Sequence, residues 1–252
     1  MAEEPGNPFP NVASSYLVQV NGQTLWAHNP ERKLAPASLT KIMTALLALE
    51  SGRIDEIVTI SPGASKETGT RIGLKRGEKM RADFLLSAAL IHSANDACRA
   101  LADQIGGSET QFVALMNRRA KTLGLKGTHF TNSCGHDHPD LYSTARDLTV
   151  LSQTALQNSL FSENVRQVRA RITTVGGRSF ALENKNELIG RYPGAIGVKT
   201  GYTPKAGKNL IALAERNGVR VFLVLLNAPN RWWDAEAMLD HAFRSAEIAD
   251  PK

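Results

Sequence analysis

Ser38 and Lys41, three positions apart, form a pair able to generate a nucleophile. At the start of a helix, residues three apart share one face. A lysine amine held beside a hydroxyl can accept its proton when burial or a second cation favours the neutral form. The helix N-terminus adds a field that favours negative charge. The plain alternative makes Ser38 a helix cap and Lys41 a solvated lysine. Against it, no other Ser-x-x-Lys occurs in the chain. Leu34-Ala35-Pro36-Ala37 before Ser38, and Ile42, Met43, Leu46 and Leu47 behind it, also put Ser38 at the lip of a buried helix.

Two further constellations follow. Ser93-Ala94-Asn95 falls between two helical segments, where a hydroxyl can relay a proton and an amide can hold a substrate carbonyl or the lysine. It reads equally as an interhelix turn with a capping residue, and Ser162-Glu163-Asn164 matches the same pattern. Ser93 is preferred because it follows an apolar helix. In Lys199-Thr200-Gly201, a strand would point Lys199 and Gly201 to one face and Thr200 to the other. The glycine lets a substrate backbone approach, and Lys199 with Thr200 or Thr203 could bind a carboxylate. The alternative is an exposed edge strand ending in a turn.

Stepping outward, the elements that must position these residues form three blocks. Residues 15–20 and 23–27 read as a hairpin closed by Asn21-Gly22. A helix over 39–50 ends at Ser51-Gly52, and 57–60 is a short strand. Residues 61–79 read as a surface loop. Helices then cover 81–92, 96–105 and 108–123, and another starts near Thr144, with Asp147 completing a capping box. After about 168 the pattern turns to strands: 172–175 and 179–182 around Gly176-Gly177, then 210–216 and 219–226 around Asn217-Gly218. A helix over 232–246 closes the chain, and residues 1–13 read as loosely ordered. The arrangement predicts an α+β fold. One antiparallel sheet of about five strands comes from both chain ends (about 12–60 and 168–246), is flanked by helices, and carries a mainly helical insertion over 61–167. A single domain over 1–252, with no further β domain, is the expectation.

Composition excludes several classes. The 252 residues are 42% hydrophobic and 21% charged, enough for a sizeable core and unlike a disordered or collagen-like chain. No apolar run is long enough to span a membrane. The 30 basic and 24 acidic residues are interspersed without a basic run, so no nucleic-acid partner is expected. Two cysteines are too few for a disulfide scaffold. No signal peptide is visible after Met1.

The order Ser-x-x-Lys, Ser-x-Asn, Lys-Thr-Gly is the catalytic set of penicillin-recognising serine enzymes. The chain resembles the low-molecular-mass penicillin-binding proteins, the serine D-alanyl-D-alanine carboxypeptidases. The likeness runs through residues 34–45, 93–97, 143–148 and 197–203, and spans roughly residues 12–246. It implies the penicillin-binding protein and β-lactamase-like transpeptidase fold, and an acyl-enzyme on Ser38 with Lys41 as base. Ser93 would pass a proton to the leaving amine, and Asn95 would fix the substrate. Lys199 and Thr200 would steer the terminal carboxylate, with Gly201 and Thr203 beside them, and backbone N–H groups of Ser38 and Tyr202 would form the oxyanion hole. Lys185, between Asn184 and Asn186, and Arg231, at the last helix, match positions where family members place cleft-lining basic residues; both also read as structural. The implied substrate is a peptidoglycan stem peptide ending in D-Ala-D-Ala, outside the cytoplasm. β-Lactams would be covalent inhibitors, with no cofactor and no metal.

The sequence departs from the family's pattern at Thr131–Asp140, where Cys134 and His136-Asp137-His138 replace a more usual Asn-x-x-Gly-Leu. Two histidines one apart on a loop fit solvated residues better than a metal site. A disulfide between Cys98 and Cys134 would suit an extracytoplasmic setting. No Glu-x-x-Leu-Asn segment lies between Ala97 and Asn158, which disfavours a class A β-lactamase. A D,D-endopeptidase, or a β-lactam sensor that is acylated without turnover, are the alternatives.

Overall fold

The computed structural model describes residues 7–249. Ser15–Val20 (β1) and Gln23–His28 (β2) form the first hairpin. Asn21 and Gly22 both take positive φ, the geometry a two-residue turn between right-twisted strands requires. Asn217-Gly218 repeats this between the eighth and ninth strands. The 3₁₀ turn Ala37–Thr40 leads into Lys41–Glu50 (α1). Ile57–Thr59 (β3), Pro62–Ser65 (α2) and Lys79–Arg81 (β4) follow. Then come Ala82–Ile91 (α3), Asn95–Gly106 (α4), Glu109–Thr122 (α5), Ala145–Ala155 (α6) and Ser159–Arg166 (α7). The chain ends with Arg169–Thr173 (β5), Ser179–Glu183 (β6), Ala195–Thr203 (β7), Gly207–Arg216 (β8), Val219–Leu226 (β9) and Arg231–Ala249 (α8).

Five strands pair antiparallel in the order β2-β1-β9-β8-β7, so both chain ends build the sheet, as expected. Alternate residues serve two cores. Leu210, Ala212, Val221, Leu223 and Leu225 meet Met238, Leu239 and Phe243 of α8 on one face. Ile211, Leu213, Phe222 and Val224 meet the central helices on the other. This explains the apolar run Val221–Leu226 of β9: a stretch of antiparallel strand buried on both faces has no polar side to alternate with. Each large side chain buried this way contributes about 1.5–3 kcal/mol. α1 lies inside the molecule, with Ile42, Met43, Ala45 and Leu46 buried around it.

Several local expectations need correction. The segment 61–79 is not one loop: Ser61 caps α2 by accepting from Ala64 N–H, and β4 pairs with β3. The sequence reading also missed α7, capped by Asn158. β5 and β6 form their own two-stranded sheet rather than joining the five. Thr144 caps α6 by accepting from Asp147 N–H, but the Asp147 carboxylate accepts from Gly127 N–H and the Thr128 hydroxyl, so the expected reciprocal box gives way to a loop tie. Residues 1–6 of the supposedly loose N-terminal stretch lie outside the described residues. Beyond them, Phe9 packs edge-on against Trp26 and His241. Among the described residues, no helix is long and apolar enough to cross a membrane.

Candidate active site

Ser38 lies in the 3₁₀ turn and Lys41 opens α1. In a 3₁₀ turn residues i and i+3 eclipse, so the two side chains align more directly than on an α-helix. Lys41 Nζ sits 2.9 Å from Ser38 Oγ and donates to the Cys134 carbonyl at 2.7 Å. Ala37 holds a left-handed φ of 48°, strained for a residue with a Cβ by about 1–2 kcal/mol. Two glycines close on this turn. A Cβ on Gly135 would stand 1.9 Å from the Ala37 carbonyl oxygen, and one on Gly201 would stand 2.8 Å from that of Pro36 and 3.2 Å from Ser38 N. The nucleophile turn is thus wedged between the 132–138 loop and β7, at distances only glycine allows.

Ser93 sits at the junction of α3 and α4 with a φ of 63°. Lys199 Nζ donates to Ser93 Oγ at 2.8 Å and to its neighbour's carbonyl, Thr200 O, at 3.1 Å. Lys199 is 2% exposed. Burial pushes its ammonium well below the ordinary lysine range, and the charges of Lys41 and Arg231 push the same way. Among the described residues no carboxylate is a hydrogen-bond partner of Lys199, so it is a desolvated amine aimed at a hydroxyl. Asn95 is not bonded to Lys41: its Nδ2 donates to Thr68 O at 2.6 Å, fixing the amide against the 68–70 segment.

Sequence reasoning missed the central role of the 132–138 loop. Besides holding Lys41 through its carbonyl, Cys134 directs its thiol toward Asn95 O at 3.4 Å. Ser133 O accepts from the Thr44 hydroxyl of α1 and from the Cys98 thiol of α4. Both cysteines are buried and free, so the disulfide that the sequence left open is not formed and the thiols serve as loop ties. His136 pairs with Glu67 at 2.7 Å, whereas His138 Nδ1 accepts from Asp140 N–H. Hydrogen bonds to Cys134 and Glu67 raise its imidazole to about 9. Asp137 accepts from the Thr203 hydroxyl at 2.6 Å, tying the loop to the end of β7. A main-chain acceptor carries no residue-type signal, and only the odd composition of 131–140 marked this loop in the sequence.

The remaining residues border this centre. Thr200 is buried and Tyr202 is 59% exposed. Arg231 Nη1 donates to Gly201 O at 3.1 Å and Asn209 O at 3.3 Å, with its guanidinium over the Trp232 ring. Lys185 has an exposed side chain, and its N–H donates to Ile91 O, beside the Ser93 turn. Asn186 Nδ2 donates to Gly197 O, pinning that segment to β7. Chemically, the assembly offers a hydroxyl with an adjacent amine, a second hydroxyl beside a buried cation, and strand backbone packed against the first hydroxyl. That set suits acyl transfer from an anionic substrate.

Comparison with known proteins points the same way. The family model described as D-alanyl-D-alanine carboxypeptidase matches residues 6–230. D-alanyl-D-alanine carboxypeptidase DacF of Bacillus subtilis is 38% identical, over 90% of this chain and 60% of its own length. The D-alanyl-D-alanine carboxypeptidase of Streptomyces sp. strain K15 is 34% identical, over 88% of this chain and 83% of its own. The crystal structure of the Streptomyces K15 DD-transpeptidase matches with a TM-score of 0.87 at 32% identity, covering 92% of this chain and 97% of that one. The chain therefore spans less than two thirds of DacF.

Proposed function

This chain belongs to the D-alanyl-D-alanine carboxypeptidase family, and from that premise we propose that it removes the terminal D-alanine from peptidoglycan stem peptides through an acyl-enzyme on Ser38. The observation that carries the reading is the 2.9 Å contact between Lys41 Nζ and Ser38 Oγ.

Ser38 Oγ attacks the carbonyl between the two D-alanines while Lys41 takes its proton, a general-base contribution of about 10²–10⁴-fold. The developing oxyanion lies against the backbone N–H groups of Ser38 and Tyr202, where each donor is worth about 3–4 kcal/mol in such sites. Ser93 relays to the departing D-alanine amine the proton that Lys41 took, with Lys199 at 2.8 Å to stabilise the negative charge that grows on the Ser93 oxygen during the transfer. Lys199 and Thr200 hold the terminal carboxylate, and Gly201 lets the peptide backbone approach. Asn95 borders the acyl side, and Thr203 secures the strand end. Arg231 supports Gly201 from below, and Lys185 lines the rim. Water then attacks the acyl-enzyme, and the proton it loses to Lys41 returns to Ser38 Oγ as the ester bond breaks. β-Lactams enter as mimics of the D-Ala-D-Ala end and acylate the same oxygen. The reaction belongs outside the cytoplasm, where peptidoglycan is found.

Steady-state release of D-alanine from a peptide ending in D-Ala-D-Ala tests the proposal. Release by the wild type and none above background by Ser38→Ala is expected. A chain that penicillin acylates but that releases no D-alanine, or one that cuts only D,D-cross-links, would overturn it in favour of a sensor or an endopeptidase.

A further inference from the structure

Beside the Ser38–Lys41 pair, three side chains of different chemistry converge. One donor atom each from Glu67, Cys134 and His136 lies within 4.8 Å of the other two. We propose that these three residues form a binding site for a thiophilic divalent cation of the Zn²⁺ type.

The donor set argues for that class. A thiolate, an imidazole and a carboxylate suit Zn²⁺, whereas Mg²⁺ and Ca²⁺ ask for oxygen alone. Ligand distances of about 2.0–2.3 Å in a tetrahedral site place neighbouring donor atoms roughly 3.3–3.6 Å apart. Here Glu67 and His136 stand 2.7 Å apart and no pair exceeds 4.8 Å, so the cation needs only small side-chain adjustments. The scaffold is already rigid. Asn132 Oδ1 accepts from both Gly135 N–H and His136 N–H, and its Nδ2 donates to His136 O, which fixes the loop that carries two of the ligands. The third ligand comes from the segment after α2, where Arg99 Nη1 holds Glu67 Oε1 at 3.2 Å and leaves Oε2 toward His136. Cys134 is 1% exposed and the Glu67 side chain 11%, but the His136 side chain is 37% exposed. A cation would thus enter along His136 and keep a water in its fourth position. On binding, the Cys134 thiol and the protonated His136 imidazole each release a proton to solvent and the cation sheds water. Cys98 is not a ligand, since its thiol is committed to Ser133 O at 3.1 Å. The competing account is a hydrogen-bonded brace in which protons alone join the three side chains.

The site is one peptide unit from the proposed base, because the Cys134 carbonyl accepts from Lys41 Nζ. Any effect of the cation on turnover would rest on the carboxypeptidase reading, but binding itself does not. The test therefore reads the metal. Equilibrium dialysis of the reduced, chelator-treated protein against Zn²⁺, with metal analysis, should give one tightly held ion per chain. Co²⁺ in its place should produce a thiolate-to-metal charge-transfer band. Cys134→Ser keeps the backbone carbonyl and the side-chain volume, and His136→Gln keeps the loop. Each should weaken binding by more than about 100-fold, since even outer-shell partners are worth 10–100-fold at such sites. Cys98→Ser and His138→Ala should still bind one ion. Far-ultraviolet circular dichroism of each variant confirms folding. Overturning results would be no stoichiometric ion on the folded wild type, an undiminished ion on folded Cys134→Ser and His136→Gln, or an ion lost with His138→Ala. If D-alanine release fails while the ion binds, only the functional reading falls; if the ion fails while D-alanine is released, only the metal site falls.

Discussion

Lys41 and Lys199 are the same kind of side chain and differ in what surrounds them. Lys41 is bonded to the nucleophile and to a carbonyl, so its part is to take a proton. Lys41→Arg keeps the charge, but a guanidinium does not surrender a proton in the working pH range. We expect a folded protein whose penicillin acylation is slowed about 10²–10⁴-fold, measured by stopped-flow with a chromogenic β-lactam; equal rates would remove Lys41 from the base role. Lys199 is instead a buried amine with no carboxylate partner among the described residues, and burial disfavours its charged form. Its folded-state pKa lies below the unfolded value of about 10.4. Between those two values the unfolded chain binds more protons, so this residue's penalty is complete below the folded pKa and gone above about pH 10.4. Lys199→Met should therefore raise Tm near neutral pH, and the gap from wild type should close as pH rises toward 10. The same change should lower kcat/KM for a free-acid peptide roughly 10- to 1000-fold, about 1.4–4 kcal/mol, and lower it less for an amidated peptide, which loses only the support that Lys199 gives Ser93. Equal losses on both substrates would mean that Lys199 does not read the carboxylate.

At the scale of elements, the nucleophile depends on three pieces held in contact: the 3₁₀ turn, the 132–138 loop and the end of β7. Gly135 is where the contact is tightest, and the atom a new Cβ would strike belongs to the backbone, which cannot swing aside. Gly135→Ala should destabilise the fold by roughly 1–3 kcal/mol and slow acylation more than 10-fold, as the Ala37–Ser38 turn is pushed out of line. Gly124→Ala is the matched comparison: its φ of 72° is also positive, but a Cβ there meets open space. It should lose about 1 kcal/mol of stability and keep its acylation rate. Thermal melts and acylation rates on both variants check this, and similar behaviour of the two would show that the wedge does not position Ser38. This contact was invisible in the sequence, where Gly135 is one of 20 glycines. The Ser38–Lys41 spacing was legible because a three-residue interval fixes a face in either kind of helix. The partner of Lys41 was not, since any residue could have offered that carbonyl.

Across the whole molecule, the parts that could be read from sequence were those with strong local signals. The Asn-Gly turns at 21–22 and 217–218 and the apolar runs of β8 and β9 announced the sheet, and the helical periods from Ala82 onward announced the central helices. What escaped was short or held by remote contacts. β4 has three residues and pairs with β3 across α2. The β5–β6 hairpin docks through Arg178 on Glu78, a partner a hundred residues away. The tie between Glu67 and His136 likewise joins segments that only the fold brings together. The same architecture explains why the three motifs converge: α1 brings Ser38 and Lys41, the α3–α4 junction brings Ser93, and the edge strand β7 brings Lys199 to Ser93 and Gly201 to the Ser38 turn. Intact-protein mass spectrometry after incubation with benzylpenicillin tests the central claim most directly. The account predicts one penicilloyl adduct per chain, mapped by peptide digestion to the segment holding Ser38 and absent from folded Ser38→Ala; an adduct that persists in Ser38→Ala, or no adduct on the wild type, would contradict it.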